Sequence, residues 1–202
     1  MLNAVQCYQI FDQSITDYHV KDSPDADIKN PFPESTLEAL LYHKNQIDSV
    51  QWHLEDLIRD PGINPAAALK LKRRIDKLNQ ERTDLVEQID DYFLYAFHNV
   101  QTIPGARQNS ETPAWLLDRM SILLLKIFHM KEQVDRHDAT ADHIARCHAK
   151  LNVLLEQKTD MQFCFDELMD DLNKGTRKMK VYRQMKMYND ASLNPVLYAP
   201  KK

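Results

Sequence analysis

Apolar residues recur at alternating spacings of three and four over several turns in the last four of five segments of this chain. This spacing is typical of amphipathic helices that turn one face toward a common core. It predicts helices over about 3–20, 35–60, 64–99, 113–137 and 138–174. No β-type alternation of any length interrupts them.

Short polar motifs mark where these helices begin and end. Ser35 with Glu38 forms a capping-box pattern, in which each side chain can satisfy a backbone N–H of the first turn. Asn64 and Thr112, each before a proline, are expected to cap the third and fourth helices, and Asp138 the fifth. Gly175 is expected to stop the fifth. We therefore place short turns near 60–64 and near 137–138, and a longer connection at 100–112.

The predicted fold class is all-α: an up-down-up-down bundle of four long helices with an additional N-terminal helix and an extended basic C-terminal segment. Only three glycines occur among 202 residues. Since Rossmann and P-loop sites need glycine-rich turns, their scarcity argues against both. One domain over 1–202 is the expectation, with 176–202 as a C-terminal strap or tail.

Charge is distributed unevenly along the chain. Residues 176–202 carry seven Lys or Arg and one acid, net +6, which leaves −10 for the rest of a chain whose total is −4. We expect this basic, Met- and Tyr-containing segment to pack on its own acidic bundle or on another subunit. Nucleic acid, whose phosphates attract cations and whose bases stack on aromatic rings, is the less favoured alternative.

Polar residues interrupt the apolar stripes at one level of the bundle. His43, Arg82 and Lys158 occupy stripe positions, and Arg119 lies beside one. All four are 17 to 20 residues from the two short turns, so a rise of about 1.5 Å per residue places them at similar heights.

Buried cations need a partner of opposite charge, which leaves three interpretations. The first is an internal salt-bridge layer that fixes helix register, with Glu38 or Asp118 as possible partners. The second is a binding site for an anionic ligand at His43, Arg82, Arg119 and Lys158. The third is that Arg82 extends its guanidinium to water.

Other clusters are weaker. His53 and Asp56 could share a metal or a proton, but a surface ion-pair cluster is the simpler interpretation. His143 and Cys147 lie four apart without a second pair to complete a zinc site. We therefore expect no metal and no cofactor. No catalytic motif stands out, which leaves enzymatic activity an open question.

Three motifs, WHLEDLIRD, LNQERTDLVEQIDD and YNDASLNP, resemble an all-helical bacterial family known only as a domain of unknown function. The resemblance extends from about Asn45 to Tyr198. It implies a helical fold and a bacterial source, and a loose association with genes for cell-envelope sugar transfer. It supplies no activity and no site residues.

Two functional hypotheses follow. The first is a cytoplasmic helical-bundle protein that acts through protein–protein contacts, as a homo-oligomer (a homodimer first of all) or with a protein partner. The second is an enzyme or binder for an anionic small molecule, such as a phosphorylated metabolite or nucleotide sugar, at the polar layer. Nucleic acid binding remains the less favoured alternative. We expect no membrane span, because the longest strongly apolar stretch, ILLLKIF, is too short to cross a bilayer.

Overall fold

The computed structural model describes residues 1–199 of the chain, and over that range it contains helices and no strand. The helices are α1 (Ala4–Lys21), α2 (Leu37–Leu57), α3 (Pro65–Ala96), α4 (Pro113–Val134), α5 (Ala141–Asn173) and the short α6 (Pro195–Tyr198). The all-α prediction is confirmed. Within the described range, no helix combines the length and apolarity needed to cross a membrane.

Helix α4 is the centre of the bundle. It contacts α1, α2, α3 and α5, while the neighbouring pairs α1/α2 and α2/α3 pack along its sides. Its buried side chains include Leu117, Met120, Leu123 and Leu125. Each buried side chain of this size contributes about 1.5–3 kcal/mol relative to an exposed one, so α4 supplies a large part of the core.

The helix starts agree with the sequence prediction at two places and differ at two. Asn64 and Thr112 cap α3 and α4 as predicted, each before a proline in the first turn. The prediction of Ser35 as a cap was wrong: Ser35 has a φ of 67°, and Thr36 caps α2. The hydroxyl of Thr36 also donates to the carbonyl of Pro33 at 2.8 Å, which favours the later start.

The prediction that Asp138 caps α5 was also wrong. Asp138 is bound by Arg136 through two hydrogen bonds of 3.0 and 2.8 Å, so its carboxylate is not available to the helix. Thr140 takes the role, accepting from the backbone N–H of His143 at 3.2 Å. An ion pair in the turn therefore delays the start of α5 by two residues.

The segment after α5, residues 176–199, is here called the strap. Its root pairs with the loop before α4: Arg107 N donates to Thr176 O at 2.9 Å and Lys178 N to Arg107 O at 3.0 Å. It then lies against α3, where Arg183 pairs with Asp91 and Lys186 Nζ donates to the Asn79 carbonyl at 2.9 Å. Residues 200–202 of the predicted tail lie outside the described residues, and the single-domain assignment stays a prediction.

Candidate functional site

A network of charged side chains, here called the polar layer, crosses the bundle between α2, α3 and α4. Lys44 Nζ donates to Asp48 Oδ2 at 2.5 Å and lies 2.8 Å from Asp118 Oδ1. Arg82 Nε and Nη2 donate to the two oxygens of Asp118 at 2.8 and 2.9 Å. Ser121 Oγ donates to Asp48 Oδ2 at 2.6 Å. Three helices are thus joined through two carboxylates.

Most of the polar layer is removed from water. The side chain of Lys44 is 1% exposed, those of Asp48 and Asp118 are 4% exposed, and that of Arg82 is 27% exposed. Two cations face two carboxylates, so the ionised layer is electrically neutral. Buried charges need this kind of pairing, because removing either sign alone leaves the other uncompensated.

Burial and pairing together shift the pKa values of Asp48 and Asp118 in opposite directions. Burial raises the pKa of Asp48, and the attraction of Lys44 only partly offsets it. Burial also raises the pKa of Asp118, but the positive charges of Lys44 and Arg82 outweigh it, so that the net shift is downward. Asp118 is therefore the firmly ionised member, and Asp48 is the carboxyl that takes up a proton more easily.

The structure places the four predicted site residues in separate surroundings. Arg82 joins the polar layer, with Asp118 as its partner, one of the two carboxylates expected from the sequence. His43 is exposed, and Arg119 is an exposed residue that pairs with Glu111 at 2.9 Å. Lys158 Nζ lies 4.9 Å from the centre of the Tyr8 ring. Among the described residues these four side chains form no hydrogen bond or ion pair with one another, and Arg82, Arg119 and Lys158 line three different clefts.

Sequence reasoning missed three members of the layer: Lys44, Asp48 and Ser121. The predicted stripe of α2 ran through His43, whereas the buried face runs through Leu41, Lys44 and Asp48. The available signal was that Lys44 and Asp48 continue, at spacings of three and four, the apolar positions Leu37 and Leu41 of the same helix. A charged pair at that spacing usually lies on a solvent-facing surface, which is why the pattern was not recognised.

A cleft of about 470 Å³ opens beside the polar layer. Asp48 and Arg82 contribute to its wall, together with the Asn79 side of α3 and the Trp52 and Ile122 side chains. One of the most buried charged groups in the chain is therefore also in contact with a cavity that a small molecule could enter.

A second and larger cavity of about 740 Å³, here called the α2–α5 groove, lies on the other side of Trp52. Trp52 stacks on His129 with 4.6 Å between the ring centres. Met130, Val153 and Leu154 give the groove an apolar floor. Val153 is 63% exposed, so the groove presents apolar surface directly to solvent.

The histidine clusters have ordinary protein partners. His53 Nδ1 lies 3.1 Å from the Tyr18 hydroxyl, and His143 Nε2 lies 3.3 Å from the Cys147 sulfur. Among residues 1–199, no group of three His, Cys, Asp or Glu side chains is placed to hold a metal ion.

The strap has an unusual distribution of apolar side chains. Over the described residues after 181 it buries none of them, while eight large ones are between 48% and 87% exposed. These are Tyr182, Met185, Met187, Tyr188, Leu193, Val196, Leu197 and Tyr198. The hydrogen bonds to α3 from this stretch are made by Arg183, Lys186 and Asn189 through their side chains and by Gln184 through its backbone N–H.

Comparison with known proteins identifies one family. Residues 38–181 match the family described as "Protein of unknown function (DUF4254)". The resemblance to an uncharacterised domain family is therefore confirmed, and the match spans nearly all of α2 to the root of the strap. No curated protein and no solved structure matches the chain.

Proposed function

We propose that this chain, which belongs to the family of proteins of unknown function DUF4254, binds a second copy of itself through its strap. The observation that carries the proposal is the orientation of the strap. Its polar groups hold it on α3, and its large apolar side chains after Val181 face solvent, whereas Met179 nearer the root packs against the core.

An apolar row of this kind is costly to leave in water. Contiguous exposed apolar surface on a soluble protein usually marks a contact with another molecule. Eight large apolar side chains within 17 residues are exposed in this stretch, and polar contacts from Arg183 to Asn189 hold its first part on α3. A surface held in place before binding loses less conformational entropy when its partner arrives.

The α2–α5 groove of a second copy is the partner surface that we propose for the strap. Its apolar floor at Met130, Val153 and Leu154 matches the apolar row. Its rim carries Asp56 and Glu132 together with two lysines, and the body as a whole is acidic while residues 176–202 are basic. The groove itself carries two acids and two lysines, so the attraction comes from the acidic body around it, which draws in the basic strap of the second copy. A reciprocal exchange of straps closes a two-fold dimer.

The charges of the polar layer are already paired with one another, which argues against the alternative function of binding an anionic ligand there. Because Lys44 and Arg82 are matched by Asp48 and Asp118, an anionic ligand would have to displace a carboxylate that is already in place. The layer is better suited to fixing the register of α2, α3 and α4 than to binding phosphate.

Sedimentation equilibrium of the full chain tests the proposal. We expect a dimer that dissociates when Met185, Val196 and Leu197 are all replaced by Ser. Val153→Ser, in the groove, should weaken the dimer as well. Phe163→Ser is the matched control, since Phe163 is also on α5 and is 64% exposed but does not line the groove.

Mixing variants separates this arrangement from others. A strap variant and a groove variant that are each monomeric should form a one-to-one heterodimer, because the mixture retains one intact strap and one intact groove. A wild-type chain that stays monomeric at about 200 µM, well above typical dimer dissociation constants, would contradict the proposal. The proposal would also be contradicted if an oligonucleotide bound the monomeric wild type and did not bind the strap variant.

A further inference from the structure

The cleft beside the polar layer has two unused hydrogen-bonding atoms in its wall. Asp48 binds Lys44 and Ser121 through Oδ2, and Oδ1 accepts no hydrogen bond from any described residue. Arg82 binds Asp118 through Nε and Nη2, and Nη1 has no acceptor in the same part of the chain. One acceptor and one donor, of opposite charge, are thus open to a ligand.

These two groups are close together and rigidly held. Arg82 Nε lies 3.7 Å from Asp48 Oδ1, so the guanidinium and the carboxylate are neighbours in the cleft wall. Asp118 fixes the plane of the guanidinium, and Lys44 with Ser121 fixes the carboxylate. Groups locked by such surrounding bonds bind a ligand without having to reorganise.

We propose that this cleft binds a free α-amino acid with an apolar side chain. Its carboxylate accepts from Arg82 and its ammonium group donates to Asp48, while Trp52, Ile122 and Leu125 contact the side chain. The inference concerns a different site from the strap and does not rest on dimer formation.

Charge selects a zwitterion over a simple ion. Three carboxylates (Asp48, Glu55 and Asp56) and two guanidinium groups (Arg59 and Arg82) line the cleft, a net charge of −1 that would repel an inorganic anion. A simple cation would pair with Asp48 but would leave Arg82 Nη1 without an acceptor. A zwitterion places each of its charges next to the opposite one and leaves the neutral layer neutral. The volume of about 470 Å³ is within the range of about 300–1,000 Å³ that small-molecule sites occupy.

Isothermal titration calorimetry of the full chain with L-leucine and L-phenylalanine tests the inference. N-acetyl-L-leucine lacks the ammonium charge, and L-leucinamide lacks the carboxylate. We expect at least one of the two amino acids to bind, and removal of either charge from it to weaken binding at least tenfold. Absence of binding up to 10 mM, about ten times the weakest dissociation constant expected of a dedicated site, would overturn the inference. Equal binding of an analogue, or binding of orthophosphate in place of the amino acid, would also do so.

A cleft-filling variant keeps the test independent of the polar layer. Ile122→Trp fills the cavity and leaves Lys44, Asp48, Arg82 and Asp118 unchanged, so it should fold and lose binding. Phe163→Trp adds an exposed indole elsewhere and should bind as wild type does. An Ile122→Trp protein that folds and still binds with unchanged affinity would place the ligand elsewhere.

Discussion

At the scale of single residues, Arg82 shows how far sequence reasoning reached. An arginine on an apolar stripe has to meet a carboxylate, and Asp118 could be named in advance because α3 and α4 were expected to be neighbours. The Lys44–Asp48 pair was not found, since spacing alone cannot distinguish a buried ion pair from one on the surface. That distinction depends on the rotation of α2 about its axis, which its packing on α1, α3 and α4 together determines.

Arg82→Leu should lower the free energy of unfolding by about 3 kcal/mol, because Asp118 loses its bidentate partner inside the bundle. Urea denaturation followed by circular dichroism measures this loss. Arg119→Leu is the control: Arg119 also pairs with a carboxylate, its Nη1 donating to both oxygens of Glu111, but this pair is exposed. Its loss should cost less than about 0.5 kcal/mol.

Replacing both partners should reverse most of that loss. Arg82→Leu with Asp118→Leu leaves Lys44 paired with Asp48, so the layer stays neutral. We expect stability within about 1 kcal/mol of wild type, as when buried ion pairs are exchanged for apolar residues. A double variant as unstable as the single one would show that the layer stabilises the fold by more than charge compensation.

The three cysteines should differ sharply in reactivity. Cys164 is exposed, whereas Cys7 and Cys147 are buried. Burial, and after it the charge of Asp166, raises the pKa of Cys7 to about 12. Ellman's reagent at pH 8 should therefore label one thiol rapidly and the others only after denaturation, and Cys164→Ser should abolish the rapid phase. Rapid labelling of two or three thiols would contradict the burial of Cys7 and Cys147.

The raised pKa of Cys7 also makes the free energy of unfolding depend on pH in the alkaline range. The folded thiol keeps its proton to a higher pH than the unfolded one, whose pKa is near the ordinary 9.0. Its contribution to stability is therefore fully present below pH 9 and is lost as the pH rises toward 12. Cys7→Ala should reduce this alkaline loss, as measured by urea denaturation at pH 8 and pH 10.5.

At the scale of elements, helix existence was easier to predict than helix ends. Apolar spacings of three and four residues identify α2 to α5 from the sequence of each helix alone, without knowledge of what it packs against. Their first residues depend on competition between adjacent polar groups, as at Ser35 and Thr36 or at Asp138 and Thr140. Gly175 was correctly expected at the end of α5, where its φ of 69° suits a residue without a Cβ.

Gly175→Ala should cost more than Gly105→Ala, although both positions have a positive φ. A Cβ at Gly175 would overlap the backbone of Gln101, whereas one at Gly105 (φ 80°) meets nothing within 4 Å. We expect about 1 kcal/mol for Gly105→Ala, from backbone strain alone, and at least about 2 kcal/mol for Gly175→Ala. Thermal unfolding of the two variants makes the comparison, and equal losses would contradict it.

At the scale of the whole molecule, the five long helices and their order were predictable, but the short α6 and the central position of α4 were not. Leu, Ile and Met on α4 are spread over a wider face than a simple four-helix bundle needs, and α1 occupies part of that face. The strap could be anticipated from charge. Its outward apolar row could not, because the sequence does not say which side chains reach α3.

Truncation after Val181 should leave the free energy of unfolding unchanged within about 0.5 kcal/mol, since the described residues removed bury no side chain. The measurement belongs at protein concentrations where the chain is monomeric, so that loss of dimer contacts does not enter. Arg183→Ala, which only loosens the strap, serves as the control. A loss above about 2 kcal/mol would mean that the strap is part of the core.

The central position of α4 also affects how amide protons exchange with solvent. Each of the other long helices contacts α4, so α1, α3 or α5 can open alone while α4 remains covered by the rest. Amides at the middle of α4, near Met120 and Leu123, can then exchange only when the whole bundle opens. Their exchange rates would report global stability, and those of the exposed start of α3 would report local fraying.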